Sequence, residues 1–136
     1  MPFMVWNDRI SVGVEAVDAD HKKMMGMIND LYDAILAGCG RQKLSSLLDH
    51  LVDYTRYHLA REEELFARTG YPDAAAHKRE HEQMAAWMKT AWHRYHNSSA
   101  EAPSFEVMNY LKDWLLDHIL GSDQKFAPHM KAHHIR

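Results

Sequence analysis

Residues 58–81, HLAREEELFARTGYPDAAAHKREH, read as the end of one helix, a turn and the start of another. The turn, TGYPD (69–73), holds Gly70 and Pro72, which stop a helix, and Asp73, which can begin the next. Steps of three and four keep residues on one helical face, and they lead from this stretch into two longer seams. Upstream the seam is Leu44, Leu48, Leu51, Thr55, His58, Glu62 and Leu65; downstream it is His77, His81, Met84, Met88, Ala91 and Tyr95. Both are apolar except beside the turn, where imidazole and carboxylate stand at positions that packing would give to leucine. The pair therefore predicts a helical hairpin that buries polar groups at its closed end.

Working outward, breaks rich in Gly, Pro, Asn or Ser fall at LAGCGRQ (36–42) and NSSAEAPS (97–104), leaving one more long segment on each side of the hairpin. The first carries the seam His21, Met25, Ile28, Tyr32, Ile35; the last carries Met108, Leu111, Leu115, His118, with Asp123 just beyond Gly121. Asp18 or Asp20, Asp73 and Ser104 can cap the starts of the first, third and fourth segments, and Gly70 can sit past the end of the second. No run of β-branched residues alternates with period two, so strands are not expected. These features predict an all-α, antiparallel up-down-up-down four-helix bundle with an irregular N-terminal arm. A single domain is expected over 1–136, with the arm at about 1–17, helices at about 18–37, 41–69, 73–96 and 104–120, and a C-terminal segment 121–136. The tail PHMKAHHIR is expected to be mobile.

A length of 136 residues suits one domain, and 46% hydrophobic with 26% charged residues suits an ordinary globular chain. With 16 basic against 19 acidic side chains, there is no footprint for a phosphate backbone, so nucleic acid is excluded as a partner. No stretch approaches the roughly 18 apolar residues of a membrane span, and the start MPFMVWNDRI does not resemble an export signal. Membrane insertion is not expected. A lone cysteine, Cys39, allows neither an internal disulfide nor a thiolate cluster, and the cytoplasm is the expected compartment. The compositional anomaly is the 11 histidines.

In an up-down bundle, the start of the first helix, the end of the second, the start of the third and the end of the fourth share one end. His21, His58, Glu62, His77, His81 and His118 all lie at that level. Burying so many polar groups without a partner costs about 1–3 kcal/mol each. A shared metal partner is implied, and imidazoles with carboxylates but no thiolate suit iron, manganese or zinc. Two carboxylates among five imidazoles exceed what one ordinary site uses, which suggests two metals bridged by Glu62 and Asp123. Asp123 lies five residues past His118, off the α-helical stripe, so a local distortion near Gly121 must bring it back.

With WNDRISVGVEAVDADHKKM at the start, H-x3-E at 58–62, H-x3-H at 77–81 and WLLDHILGSD at 114–123, the sequence resembles the hemerythrin family, and within it the single-domain bacteriohemerythrins. The resemblance implies one iron ion held by His77, His81 and His118, a second held by His21 and His58, and Glu62, Asp123 and an oxo or hydroxo group as bridges. Two six-coordinate irons offer twelve positions, of which these ligands fill eleven. The open one falls on the iron with two histidines, where the family binds dioxygen reversibly. Met24, Leu59, Trp114 and Leu115 stand where the family has the apolar walls of the oxygen pocket. Tyr32 is expected to be a core aromatic. The implied function is oxygen transport, storage or local delivery rather than enzymatic turnover, with an oxygen-consuming enzyme as a possible recipient and a monomer expected.

Alternative readings are an oxygen, redox or iron sensor, a di-iron peroxidase or oxidase, and a nitric oxide scavenger. Weak side peroxidase or oxidase activity also fits the same pair of irons. At this length no attached signalling domain is expected. HKREH also matches H-x-x-E-H, a zinc-peptidase signature with Glu80 as base. Glu80 falls off the shared stripe, however, and that reading leaves four of the other donors without a role.

Overall fold

The computed structural model describes residues 3–97 and 105–135. Its elements are α1 (Glu15–Leu36), α2 (Arg41–Thr69), α3 (Ala74–Asn97), α4 (Phe105–His118), a single π-helical turn (Ile119–Asp123) and α5 (Gln124–Ala132). Helices α1 to α4 form the antiparallel four-helix bundle, and no strand occurs among the described residues. Nor is any described helix long and apolar enough to cross a membrane. The expected Ser104 cap lies outside the described residues.

The bundle interior is a column of seam residues. Met25, Ile28 and Leu31 of α1 meet Leu44, Leu48 and Leu51 of α2, Met84 and Met88 of α3, and Met108, Leu111 and Leu115 of α4, all buried. In α1 the seam passes through Leu31 rather than Tyr32, because 3.6 residues per turn carries the stripe back by a residue over this length. Tyr32 stands half-buried and stacks on Phe3, centroids 4.2 Å apart. It lies about 16 Å along the helix from His21. Tyr32 thus packs against the margin of the core rather than in the seam.

The N-terminal arm lies over the bundle, burying Met4, Ile10, Val12 and Val14. Met4 and Asn29 exchange two hydrogen bonds of 2.7 and 2.9 Å. Asp18 accepts from the Ser11 hydroxyl at 2.5 Å and from the Val12 backbone N–H at 2.8 Å. Neither Asp18 nor Asp20 caps α1, whose boundary residue is Val14. Asp18 instead ties the arm back to the first turn, which lets the helix begin at Glu15, ahead of the expected 18. Gly70 ends α2 in the left-handed conformation at φ 61°, a region that glycine enters without the Cβ penalty.

The C-terminal residues depart from expectation. The first five residues of PHMKAHHIR, 128–132, are not a loose tail, because they belong to α5, which continues the π turn and buries Phe126, Ala127 and Met130. Phe126 packs edge-on against Phe66 with centroids 4.6 Å apart and lies 4.5 Å from Tyr71. His129 points its Nε2 at the Thr69 carbonyl at 2.9 Å, where the ring N–H donates to the end of α2. Only three apolar residues anchor the segment, too few to stand out among its histidines and lysines. Phe126→Ala should destabilise the metal-free chain by about 3–5 kcal/mol, read from its urea unfolding curve. An unchanged midpoint would return the segment to the status of a tail.

Candidate metal centre

Each bundle helix brings its part of the site to one end. His21 sits early in α1, His58 and Glu62 late in α2, His77 and His81 early in α3 and His118 at the end of α4. Asp123 closes the π turn. None of the seven side chains is more than 5% exposed. The π turn is the distortion that Asp123 requires. Its i→i+5 pattern, seen in the Gln124 N–H bonding the Ile119 carbonyl, adds one residue to the turn and restores Asp123 to the inward face.

The two carboxylates divide the imidazoles into groups of three and two. Glu62 Oε2 faces His81 Nε2 at 2.8 Å and both His77 and His118 Nε2 at 3.5 Å. Its other oxygen, Oε1, faces His58 Nε2 at 3.2 Å and His21 Nε2 at 3.9 Å. Asp123 repeats the split, with Oδ1 at 3.0 Å from His77 and 3.1 Å from His118, and Oδ2 at 3.0 Å from His21. All five rings turn Nε2 inward. Two donor clusters result, Glu62 with His77, His81 and His118, and His21 with His58, Glu62 and Asp123.

The donors fit metal better than they fit one another. His77 and His118 oppose Nε2 atoms at 3.1 Å, and His21 and His58 do so at 3.0 Å, where two neutral rings can share only one proton. Glu62 Oε2 and both Asp123 carboxylate oxygens are buried without a hydrogen bond. Metal-free, the cluster therefore holds charge. Burial opposes the protonated ring of His58, but Glu62 and then Asp20 outweigh it and lift the ring to about 9. His118 rises to about 10 against the same opposition, chiefly through Asp123. Burial and the Glu62 charge push Asp123 upward, yet His118 and His21 hold it at about 2. Glu62 lies well below the usual carboxylate range, since His58, His118 and His77 overcome its burial.

Other residues entered from outside the stripes. Asp20 Oδ2 accepts from His58 Nδ1 at 2.9 Å, while Oδ1 accepts from the Tyr54 hydroxyl at 2.9 Å and Arg61 Nε stands 3.4 Å away. This carboxylate orients the ring, and its pKa is lowered because His58 and Tyr54 outweigh burial. Only its neighbour His21 hinted at such a role. Glu80 lies beside His118 Nδ1 at 3.2 Å, outside the donor cluster, which is not where a peptidase base would stand. Met24, Leu59 and Leu115 are buried. Trp114 is half-buried and stacks on His118 with centroids 4.6 Å apart and planes 11° apart. That contact puts it against the three-histidine cluster.

A family model described as the hemerythrin HHE cation binding domain matches residues 12–130. A bacteriohemerythrin of Stenotrophomonas maltophilia (strain R551-3) is 38% identical over 133 residues, covering 98% of this chain and 85% of that protein. One of Methylococcus capsulatus (strain Bath) is 31% identical over 133 residues, covering 97% and 100%. Among solved structures, a wild-type hemerythrin superposes with a TM-score of 0.87 at 31% identity, covering 93% of this chain and 96% of that one.

The shifted groups predict how stability varies with pH. His58 and His118, raised above their ordinary value, stabilise the metal-free fold fully below about pH 6.5, and that contribution is lost as pH rises through about 9 and 10. Glu62 and Asp123, both lowered, contribute above about pH 4.5, and the Asp123 share is lost as pH falls through about 2. The urea midpoint of the metal-free chain should therefore decline from pH 6 to pH 9. Bound metal needs neutral imidazoles, so loading should flatten that decline. A metal-free profile that is level over this range would contradict the assignment of charge.

Proposed function

The chain belongs to the hemerythrin family, and on that premise we propose that it binds dioxygen reversibly at a non-haem di-iron centre, for oxygen transport, storage or local delivery. The observation that carries this reading is the division of seven buried donors into three and two imidazoles about a pair of shared carboxylates. His77, His81 and His118 would hold one iron, His21 and His58 the other, with Glu62 and Asp123 bridging them beside an oxo or hydroxo group. Such a pair supplies the two electrons that dioxygen takes up on binding and returns on release.

The protein's part is to keep that exchange reversible. The two-histidine cluster offers one imidazole fewer than its partner, so an iron held there would keep one position free. Five neutral imidazoles against two carboxylates make a less electron-rich site than carboxylate-dominated di-iron enzymes present, so further oxidation is less favoured. Met24 lies one turn from His21, Leu59 adjoins His58 and Leu115 lies one turn before His118. Their apolar side chains would admit a small neutral gas while excluding water and the protons that drive loss of reduced oxygen. Trp114 would instead shield the three-histidine side. The chain would act as a cytoplasmic monomer that supplies an oxygen-consuming enzyme.

The test is iron content with absorption spectra of the protein reduced without air, aerated, then purged. Two irons per chain and a visible band that comes with air and leaves on purging are expected. An irreversible ferric spectrum on first exposure would indicate an oxidase, peroxidase or redox sensor, and zinc alone a hydrolytic site. His21→Ala and His58→Ala should each abolish oxygen binding, and reversible binding retained in both would sink the placement of the open position. Leu115→Ala should hasten autoxidation by admitting water. If the rate did not change, Leu115 would be plain core.

A further inference from the structure

Glu80 precedes His81 on α3 and turns away from the seven donors. Half-exposed, it places Oε2 at 3.2 Å from His118 Nδ1, and the same oxygen accepts the Ser122 hydroxyl. We propose that Glu80 is a positioning residue of the metal centre, a clamp that holds His118 through its outer nitrogen and the π turn through Ser122. The inference rests on the reading of these donors as a metal centre.

Three observations support it. First, a histidine that gives Nε2 to a metal keeps its proton on Nδ1, which then needs an acceptor. His118 Nδ1 is buried and has no well-aligned hydrogen bond, but the Glu80 carboxylate stands beside it. Second, Ser122 belongs to the π turn and immediately precedes Asp123. A carboxylate of α3 thus grips the irregular turn on which the bridging position of Asp123 depends. Third, the opposite cluster has the same device, since Asp20 accepts from His58 Nδ1 at 2.9 Å. Each cluster then has one imidazole backed by a carboxylate outside the donor set.

The two supports differ in setting. Asp20 is 4% exposed and held by Tyr54 and Arg61. Glu80 borders a surface cleft of about 150 Å³ lined also by Tyr71, Asp73, His77, Ser122 and Lys125. The support at the three-histidine cluster is therefore the one that solvent reaches, and it can be altered with little disturbance of the core.

The experiment titrates cobalt(II), without air, into the metal-free chain against a competing chelator, and follows the cobalt d–d bands and the unfolding midpoint before metal is added. Glu80→Ala should weaken cobalt binding about 10- to 100-fold and alter the bands of one ion of two. Glu80→Gln, which keeps an acceptor oxygen, should recover most of that affinity, and Ser122→Ala should fall between. The metal-free midpoint should stay close to that of the parent in all three. Cobalt affinity of Glu80→Ala within twofold of the parent, with unaltered bands, would overturn the proposal. Equal losses in the Ala and Gln variants with a lowered metal-free midpoint would also overturn it, by assigning Glu80 to folding. A parent chain that takes up two cobalt ions keeps the metal centre whatever Glu80 does. One that takes up none removes the centre, and the clamp with it.

Discussion

Seven almost fully buried polar side chains meet at one end of the bundle, and the rest of the structure is arranged around that meeting. Five imidazole nitrogens and four carboxylate oxygens cannot satisfy one another by hydrogen bonding, because the rings oppose like atoms and three of those oxygens find no donor. Protonating the rings offsets part of the deficit, the direction in which the surrounding carboxylates push His58 and His118 against their burial. Metal offsets it more fully, since every inward atom is a lone-pair donor. The apolar column of Leu31, Leu51, Met108 and Leu111 farther along the bundle keeps the fold together against this frustrated end. A chain that confines its conflict to one end can tolerate strain there without losing the fold.

Much of this was legible because helical period and bundle topology are both local rules. Steps of three and four found the seams, and up-down connectivity put six of the seven donors at one level without any knowledge of distances. Asp123 was legible in a different way. Its offset of five residues from His118 is incompatible with a continuous α-helix if both face inward, so the sequence called for a distortion there, and the π turn is that distortion.

What escaped notice did so for physical reasons. Asp20 and Glu80 lie next to donors in sequence, and on a helix that means about 100° away, where polar residues are ordinarily solvated. Their partners are reached across helices, and no local pattern records such a contact. Trp114 stands where the family resemblance puts an apolar pocket wall, and its stacking on His118, a contact between rings one turn apart, sets it against the three-histidine cluster. The helix α5 was missed because its apolar residues are few and its partners, Phe66 and Tyr71, are about 60 residues away.

That last helix bears on the centre as well as on the fold. A four-helix bundle is open at its ends, and the donors lie at one of them, so water exclusion there needs cover from elsewhere in the chain. Phe66 lies 4.6 Å from His77 and 6.1 Å from His81 between ring centroids, and the buried Phe126 of α5 packs edge-on against Phe66 and 6.2 Å from His77. Tyr71, from the turn between α2 and α3, packs on Phe126 and on His129, which in turn bonds the end of α2. These aromatic rings form a plug over the three-histidine cluster, and the π turn leads directly into the helix that carries Phe126 and His129. The same irregularity therefore returns Asp123 to the interior and aims the segment that seals it, so a change in this turn would alter ligand geometry and solvent access together.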